Sequence, residues 1–460
     1  MSLITCPLHT AARRFGEALA IDGQGHPMSY IELDGRVSAL CHHLQQQGVR
    51  AGHHLGYIGK NRLEGILLLY AAMRLGAVFV PLSPRFPEAQ QQQLITELRI
   101  QWLWHDEASP VECTARPLTL TSGYEPTLWR FDASAPVSMI LTSGSSGHPK
   151  AAMHHTLNHL AAAEGSQDRT PLAKGDRWLL SLPLFHIGGL AILWRCLGCG
   201  ATVVLPDSPD PAEALANQAL THLSLVATQL KRILDREQGT ELLGSLKVLL
   251  LGGGPIPAPL LEALKSLPLK ALTSYGMTEM GSQITTGPAN AEGLSGFPLA
   301  GRQVRIEEGI IQVRGESRFL GYYRDGNLET PFDHEGWFST KDRGQWVGEQ
   351  LKVLGRADNM FISGGENVQP EAIEAVLKRC EGVEEAVVVP VPDEEFGLLP
   401  VAVVKGDWDE AALNRRVMKK LPRFMRPRRY LPWSPALETG SLKVSRARVM
   451  EWVTRLDKKD

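Results

Sequence analysis

Residues 246–257 read LKVLLLGGGPIP. The apolar run Val248 to Leu251 meets Gly252-Gly253-Gly254, and Pro257 then opens a helical pattern. A strand covered on both faces is apolar throughout, and a proline in the first helical turn removes no needed donor. The stretch therefore reads as a parallel-sheet strand feeding a helix. Working outward, Tyr30, Leu33, Val37, Leu40 and Leu44 recur at helical spacing between Met28 and Gln47 and stop before Gly48. A second helical run covers Leu67 to Leu75, and after Gly76 the β-branched and aromatic segment Ala77–Val80 is closed by Pro81. Helix followed by buried strand is the recurring unit, so the bulk of the chain is expected to be α/β with mostly parallel sheets in several layers.

After Gly309 the texture changes to short strands with turn signals: Ile310–Val313, Gly321–Tyr323 and Gly344–Val347, leading to Gly355-Arg356-Ala357-Asp358. A boundary is expected there, giving an N-terminal domain over 1–356 and a small C-terminal α+β domain over 357–460. The latter should hold a helix after Pro370, strands at Ala386–Val391 and Val401–Val404, and a helix near Ala411–Leu421.

The 460 residues leave room for two or three domains at roughly 150 residues each. Hydrophobic residues at 43% and charged residues at 21% describe a globular chain and exclude a disordered or collagenous one. Lys plus Arg (48) nearly balance Asp plus Glu (50), so a net charge of -2 gives no global reason to bind nucleic acid or an anionic membrane. No apolar run approaches the length of a membrane-spanning helix. Met1–Ala20 has no uninterrupted apolar core of the kind a signal peptide carries, so the cytoplasm is the expected location. Six scattered cysteines read as reduced thiols, and Cys196-Leu197-Gly198-Cys199 lacks the second pair that would complete a zinc site.

Four segments carry chemistry. Leu141-Thr142-Ser143-Gly144-Ser145-Ser146-Gly147-His148-Pro149-Lys150 lies between two strand-like runs. Its hydroxyls and backbone donors, with a lysine at the end, suit several phosphate oxygens, although a flexible Ser/Gly linker would look alike. It is not a Walker loop, because no Ser or Thr follows Lys150 and no helix pattern starts there. In Thr273-Ser274-Tyr275-Gly276-Met277-Thr278-Glu279, Tyr275 can stack on a base, Thr278 can donate to a phosphate and Glu279 can hold Mg2+; a core tyrosine with a capped helical turn fits equally. Asp342, within Gly336–Gly344, can accept both ribose hydroxyls or simply close its own turn. Gly355–Asn367 places Asp358 and Gly364-Gly365 where two domains could swivel, although a plain linker would look the same.

Taken in order, TSGSSGHPK, YGMTE, STKDRG, GRADNMFISGGENVQPEAIE and a late lysine resemble the adenylate-forming superfamily of acyl- and aryl-CoA synthetases, luciferases and peptide-synthetase adenylation domains. The resemblance runs from about residue 25 to 450. Within the superfamily, SLPLFH (181–186), Trp194-Arg195, Leu250–Gly253 and DEEFG (393–397) are most similar to the o-succinylbenzoate:CoA ligases.

The resemblance implies a two-step ligase using ATP, Mg2+ and CoA, in which a carboxylate becomes an acyl-adenylate and then a thioester. It assigns the phosphates to Thr142, Ser143, Gly144, Ser145, Ser146, Gly147 and Lys150, the α-phosphate to Thr278 and Mg2+ to Glu279. Gly253, Gly254 and Tyr275 would wall the adenine, with Gly276 also binding the nucleotide, and Asp342 and Arg356 would take the ribose. Lys443, in Gly440-Ser441-Leu442-Lys443 where a Gly-Lys pair is usual, would stabilise the adenylation transition state. Rotation about Asp358 would then withdraw it and bring Gly364-Gly365 toward the CoA channel.

Phe185-His186 stands where amino-acid-activating relatives carry Phe-Asp, so an amino acid is disfavoured. His186 could position an aromatic or keto acid. Arg195 could hold a second carboxylate, or pair with a structural acid. The expected partners are a small aryl carboxylic acid, ATP and CoA, with no nucleic acid and no membrane span, and there is room for a homo-oligomer. Eight basic and no acidic residues between Arg415 and Arg429 fit a solvated helix face or a contact with CoA phosphates. The rival functions are another acyl- or aryl-CoA ligase, an adenylation protein loading a carrier, and a non-catalytic nucleotide binder.

Overall fold

A computed structural model describes residues 3–106, 113–142, 149–363, 366–393, 396–421, 423–438 and 444–457. Its first sheet has eight strands, with His54–Ile58 between Val78–Leu82 and Ile100–His105, all parallel. Pro136–Thr142 joins in parallel at Phe79↔Ser138, and Lys150–His155, Gly321–Arg324 and Asn327–Glu329 extend that side antiparallel. The second sheet has nine strands. Thr202–Val204, Arg177–Leu179, His222–Leu225, Val248–Leu251 and Lys270–Met277 form its parallel centre, and Ser282–Pro288 folds back antiparallel. A third sheet, Arg302–Glu307, Ile310–Gly315, Phe338–Val347 and Gln350–Arg356, is wholly antiparallel. Parallel pairing thus holds the centres and antiparallel hairpins the flanks.

The core explains the patterns. Helix Leu63–Leu75 is buried at twelve of its thirteen residues, and with Ile187–Cys199 it shares one core cluster with strands of both large sheets. Helices apolar all round belong inside, between layers. Helix Tyr30–Gln47 is started by a capping box, Ser29 with Glu32, and stopped by left-handed Gly48, as the sequence suggested within two residues. The structure shifts other boundaries. The second helix begins at Leu63, the helix after Pro257 spans only Ala258–Ala263, and Pro81 lies inside its strand. Its missing donor is tolerated because the ladder on the Pro136–Thr142 side registers only Phe79.

Strand Gln350–Arg356 ends at the 3-10 turn Ala357–Asn359. Beyond it, strands Val383–Asp393, Gly397–Gly406 and Tyr430–Pro432 form a three-stranded sheet apolar on both faces. Ala386, Val388, Ala402 and Val404 pack on helices Pro370–Leu377 and Glu410–Lys420, while Val387, Val389, Val401 and Val403 pack on Arg446–Asp457. These residues have a core of their own. No helix among the described residues is long and apolar enough to cross a membrane.

Candidate active site

Three hairpins, one from each large sheet and one from the antiparallel sheet, bring the motif residues together. Thr142 and Lys150 face each other across the first, so the two ends of the Ser/Gly loop are neighbours. Ser143, Gly144, Ser145, Ser146 and Gly147 lie outside the described residues, as do Gly364, Gly365 and Lys443. Lys150 is exposed, and its ammonium stands 4.8 Å from the ring centre of Tyr322.

The second hairpin joins Lys270–Met277 to Ser282–Pro288 through the 3-10 turn Thr278–Met280. Gly276 is required there, because a Cβ would fall 2.1 Å from the Ser282 carbonyl oxygen. The Thr278 carbonyl accepts a 2.8 Å hydrogen bond from Nε2 of buried His154. Burial brings the His154 pKa down to about 4, so the ring is neutral and carries its proton on Nε2. Glu279 is 7% exposed and accepts a 2.7 Å bond from the Tyr322 hydroxyl, while its carbonyl accepts from the Phe319 amide at 2.8 Å. Burial pushes the Glu279 carboxyl up and the Tyr322 bond opposes that.

The third hairpin sets Asp342 opposite Arg356. Tyr275 donates to Asp342 at 2.6 Å, and Arg356 Nη1 lies 3.6 Å from the same carboxylate. Arg356 also grips Asp358 with two bonds of 2.9 and 3.0 Å, which holds the Asp358 carboxyl below its usual range. The adenine and ribose candidates are thus linked directly to the expected pivot. Gly253, at φ +80°, and Gly254 are exposed just beyond the carboxyl end of Val248–Leu251, beside the strand that carries Tyr275. Crevices beyond the carboxyl ends of parallel strands are where α/β sheets take ligands.

His186 and Arg195 are not brought together. They begin and nearly end one helix, Ile187–Cys199, so about 13 Å of helix axis separates them. His186 is exposed and packs on Phe185, with ring centres 4.8 Å apart. Arg195 is 3% exposed and lies against the second hairpin, donating to Gln283 Oε1 at 2.6 Å and Ser282 Oγ at 3.4 Å. Its guanidinium sits 5.4 Å from the Trp178 ring centre, and its Nε has no partner among the described residues. Among the described residues no carboxylate pairs with it, so the structural-acid alternative is not met. Burial, with Arg302 nearby, lowers its pKa to about 10. Arg302 in turn spends its donors on the carbonyls of Gln283, Ala161, Ala162 and Ala300.

Sequence reasoning missed Tyr322, His154, Gln283 and Arg302. Tyr322 stood in a segment read only as strand. His154 turns inward to Thr278, and His155 caps helix Thr156–Glu164. Cys196 is buried and Cys199 half-buried, and burial raises both thiol pKa values, consistent with inert thiols. Among the described residues no three His, Cys, Asp or Glu side chains converge on a metal site. One buried carboxylate, Glu279, is what Mg2+ uses when water and phosphate oxygens complete its shell, so the residues present fit that ion.

Comparisons with known proteins bear on the family and the fold. The AMP-binding enzyme family model matches residues 8–323, and the AMP-binding enzyme C-terminal domain matches 372–441. The 2-succinylbenzoate–CoA ligase of Escherichia coli K12 is 36% identical over 96% of both chains. Among solved structures, an arginine-to-lysine variant of E. coli MenE with bound OSB-AMS superposes with a TM-score of 0.85 at 34% identity, covering 98% of this chain and 99% of that one. The o-succinylbenzoate CoA synthetase of Bacillus subtilis in complex with the acyl-adenylate OSB-AMP gives 0.86 at 26% identity, covering 98% of each. Fold, motif order and sequence all agree: the chain belongs to the AMP-binding enzyme family, the adenylate-forming enzymes its motifs resemble.

Proposed function

We propose that the protein is an AMP-forming acid–thiol ligase that converts 2-succinylbenzoate to 2-succinylbenzoyl-CoA, the thioester step of menaquinone synthesis. ATP and CoA are its co-substrates. The observation that carries the choice of acid is Arg195, a buried guanidinium with no carboxylate partner among the described residues, lying behind the hairpin of Gly276, Thr278 and Glu279. 2-Succinylbenzoate has two carboxylates. One is activated and the other supplies the anion that Arg195 lacks, in the fork geometry a guanidinium favours. The identity to 2-succinylbenzoate–CoA ligases over nearly the whole chain supports the same acid.

A carboxylate resists thiol attack because its leaving group would be oxide. In the first half-reaction its oxygen attacks the α-phosphorus of ATP, the bond to the β-phosphate oxygen breaks, and pyrophosphate leaves. Lys150 and the hydroxyls of Thr142, Ser143 and Ser145 hold the phosphates, with the backbone of Gly144, Ser146 and Gly147, and Thr278 meets the α-phosphate. Glu279 would hold Mg2+, which would supply charge neutralisation there. Asp342, aligned by Tyr275 and Arg356, accepts the ribose hydroxyls, and Gly253, Gly254 and Gly276 border the base. Lys443, assigned by the motif resemblance, stabilises charge on the pentavalent phosphorus. In the second half-reaction the CoA thiolate attacks the acyl carbon and AMP departs, with the residues beyond 356 turning about Asp358. His186 borders the acid at the open end of its helix. ATP and CoA as substrates favour the cytoplasm.

The test is mass spectrometry of purified protein with ATP, Mg2+, CoA and 2-succinylbenzoate beside a panel of benzoates, cinnamates, fatty acids and amino acids. The expected result is AMP and a CoA thioester formed preferentially from 2-succinylbenzoate. Preferential turnover of another acid would discard the substrate, and adenylate without thioester would point to a carrier protein as acceptor.

A further inference from the structure

Lys150 and Glu279 stand on different sheets, yet one side chain touches both. The Tyr322 hydroxyl donates to Glu279 Oε1 at 2.7 Å, and the face of its ring lies under the Lys150 ammonium, 4.8 Å from the ring centre. The backbone explains how. Strand Gly321–Arg324 pairs with Lys150–His155 so that Ala152 is opposite Tyr322, two residues from Lys150 and therefore on the same face. The ring is fixed edge-on to Phe319 at 4.9 Å and 67°, and the Phe319 amide bonds the Glu279 carbonyl at 2.8 Å. Side chain and backbone of Glu279 are therefore both held from residues 319–322.

We propose that Tyr322 is a positioning residue that sets Lys150 and Glu279 at the spacing required by a magnesium–nucleotide complex. The proposal rests on the nucleotide reading above and goes beyond it, since no motif assigns Tyr322 a role. A hydroxyl that donates to one carboxylate oxygen fixes the plane of the carboxylate and the direction in which the other oxygen points. The electron-rich ring face keeps the ammonium close without neutralising it, so the lysine can transfer to a phosphate when one arrives. An acidic partner in the same place would hold Lys150 away from the nucleotide.

The two contacts can be separated. Tyr322→Phe keeps the ring and removes the hydroxyl, while Tyr322→Leu removes both. The full chain is titrated with Mg2+ in two ways: ATP binding by calorimetry, and ATP–pyrophosphate exchange with 2-succinylbenzoate. For Tyr322→Phe, the Mg2+ concentration at half-saturation should rise roughly ten-fold in both, as removal of a partner to a metal ligand does. ATP binding without Mg2+ and thioester formation from preformed adenylate should stay within about two-fold of wild type. Tyr322→Leu should add a few-fold, roughly three-fold, weakening of ATP binding even without Mg2+. An unchanged Mg2+ requirement in a Tyr322→Phe protein of wild-type melting temperature would overturn the proposal. So would equal slowing of both half-reactions, which is what general loosening of the fold produces. Should wild type itself fail to bind ATP with Mg2+, the nucleotide reading falls first, a result distinct from failure of the tyrosine's role.

Discussion

Arg74 and Arg195 are buried to nearly the same degree, 4% and 3% exposed, in two helices of one core cluster. Arg74 ion-pairs with Asp34 and also donates to Ser38 Oγ at 2.8 Å and the Asp34 carbonyl at 3.1 Å. Burial works to lower its pKa, but Cys6 and Asp34 turn the net shift upward. Arg195 has an amide, a hydroxyl and an indole face around it and a second cation, Arg302, nearby. Removing a charge from water costs several kcal/mol unless it is paired. Arg74 meets that cost within the fold, as a structural group does. Arg195 leaves it unmet among the described residues, which supports the proposal that an anionic substrate supplies its partner.

The largest effect expected from any cation lies outside both helices. Lys443→Ala should slow adenylation on the order of 1000-fold, about 4 kcal/mol of transition-state stabilisation, and leave thioester formation from preformed adenylate largely intact. Single-turnover measurement of each half-reaction decides it, and equal loss in both would end that division of labour. Next, Arg74→Met should destabilise the fold by about 3–5 kcal/mol, because the buried Asp34 loses its guanidinium and keeps only His9, at 2.9 Å, as a side-chain partner, with KM for the acid unchanged. Denaturant unfolding beside steady-state kinetics reads both.

A third buried base takes another route and stays neutral. His154 has a folded pKa of about 4, below the 6.5 of the unfolded chain, with burial as the main cause. Between those values the unfolded state binds more protons, so its contribution is complete above pH 6.5 and is lost as pH falls toward 4, at most about 3 kcal/mol. His154→Gln should flatten the fall in stability across that window. A chemical-denaturation series from pH 4 to 7 in both proteins checks the slope.

The smallest and most diagnostic effect is on Arg195. Arg195→Ala should raise KM for 2-succinylbenzoate roughly 100-fold, about 2.7 kcal/mol, and KM for a monocarboxylate analogue only about two-fold. Stability should stay level or rise, in contrast to Arg74→Met. Equal KM effects on both acids would remove Arg195 from the acid pocket and dissolve the comparison.

Much of this was legible in the linear chain. The helical spacing of Tyr30 to Leu44, the run Val248–Leu251 and the composition of residues 141–150 act over a few residues, where local rules hold. Motif order carried the family and the candidate roles of Thr278, Glu279, Asp342 and Arg356. The misreadings are equally physical. Pro81 was taken for a terminator, but whether a proline is tolerated depends on which side of the strand has a neighbour. The separate roles of His154 and His155 were not legible, because adjacent side chains on a strand point to opposite faces and only packing decides what each meets: here one ring enters the core while the other caps a helix.

By itself the amino-acid order determined which elements form and which reactive groups are present, because propensity, periodicity and turn chemistry are local. Only the tertiary structure decided which buried arginines lack a carboxylate partner among the described residues and which tyrosine joins Lys150 to Glu279. Counterions and bridging rings come from residues far apart in the chain, and the cost of a buried charge depends on what packing has removed from around it.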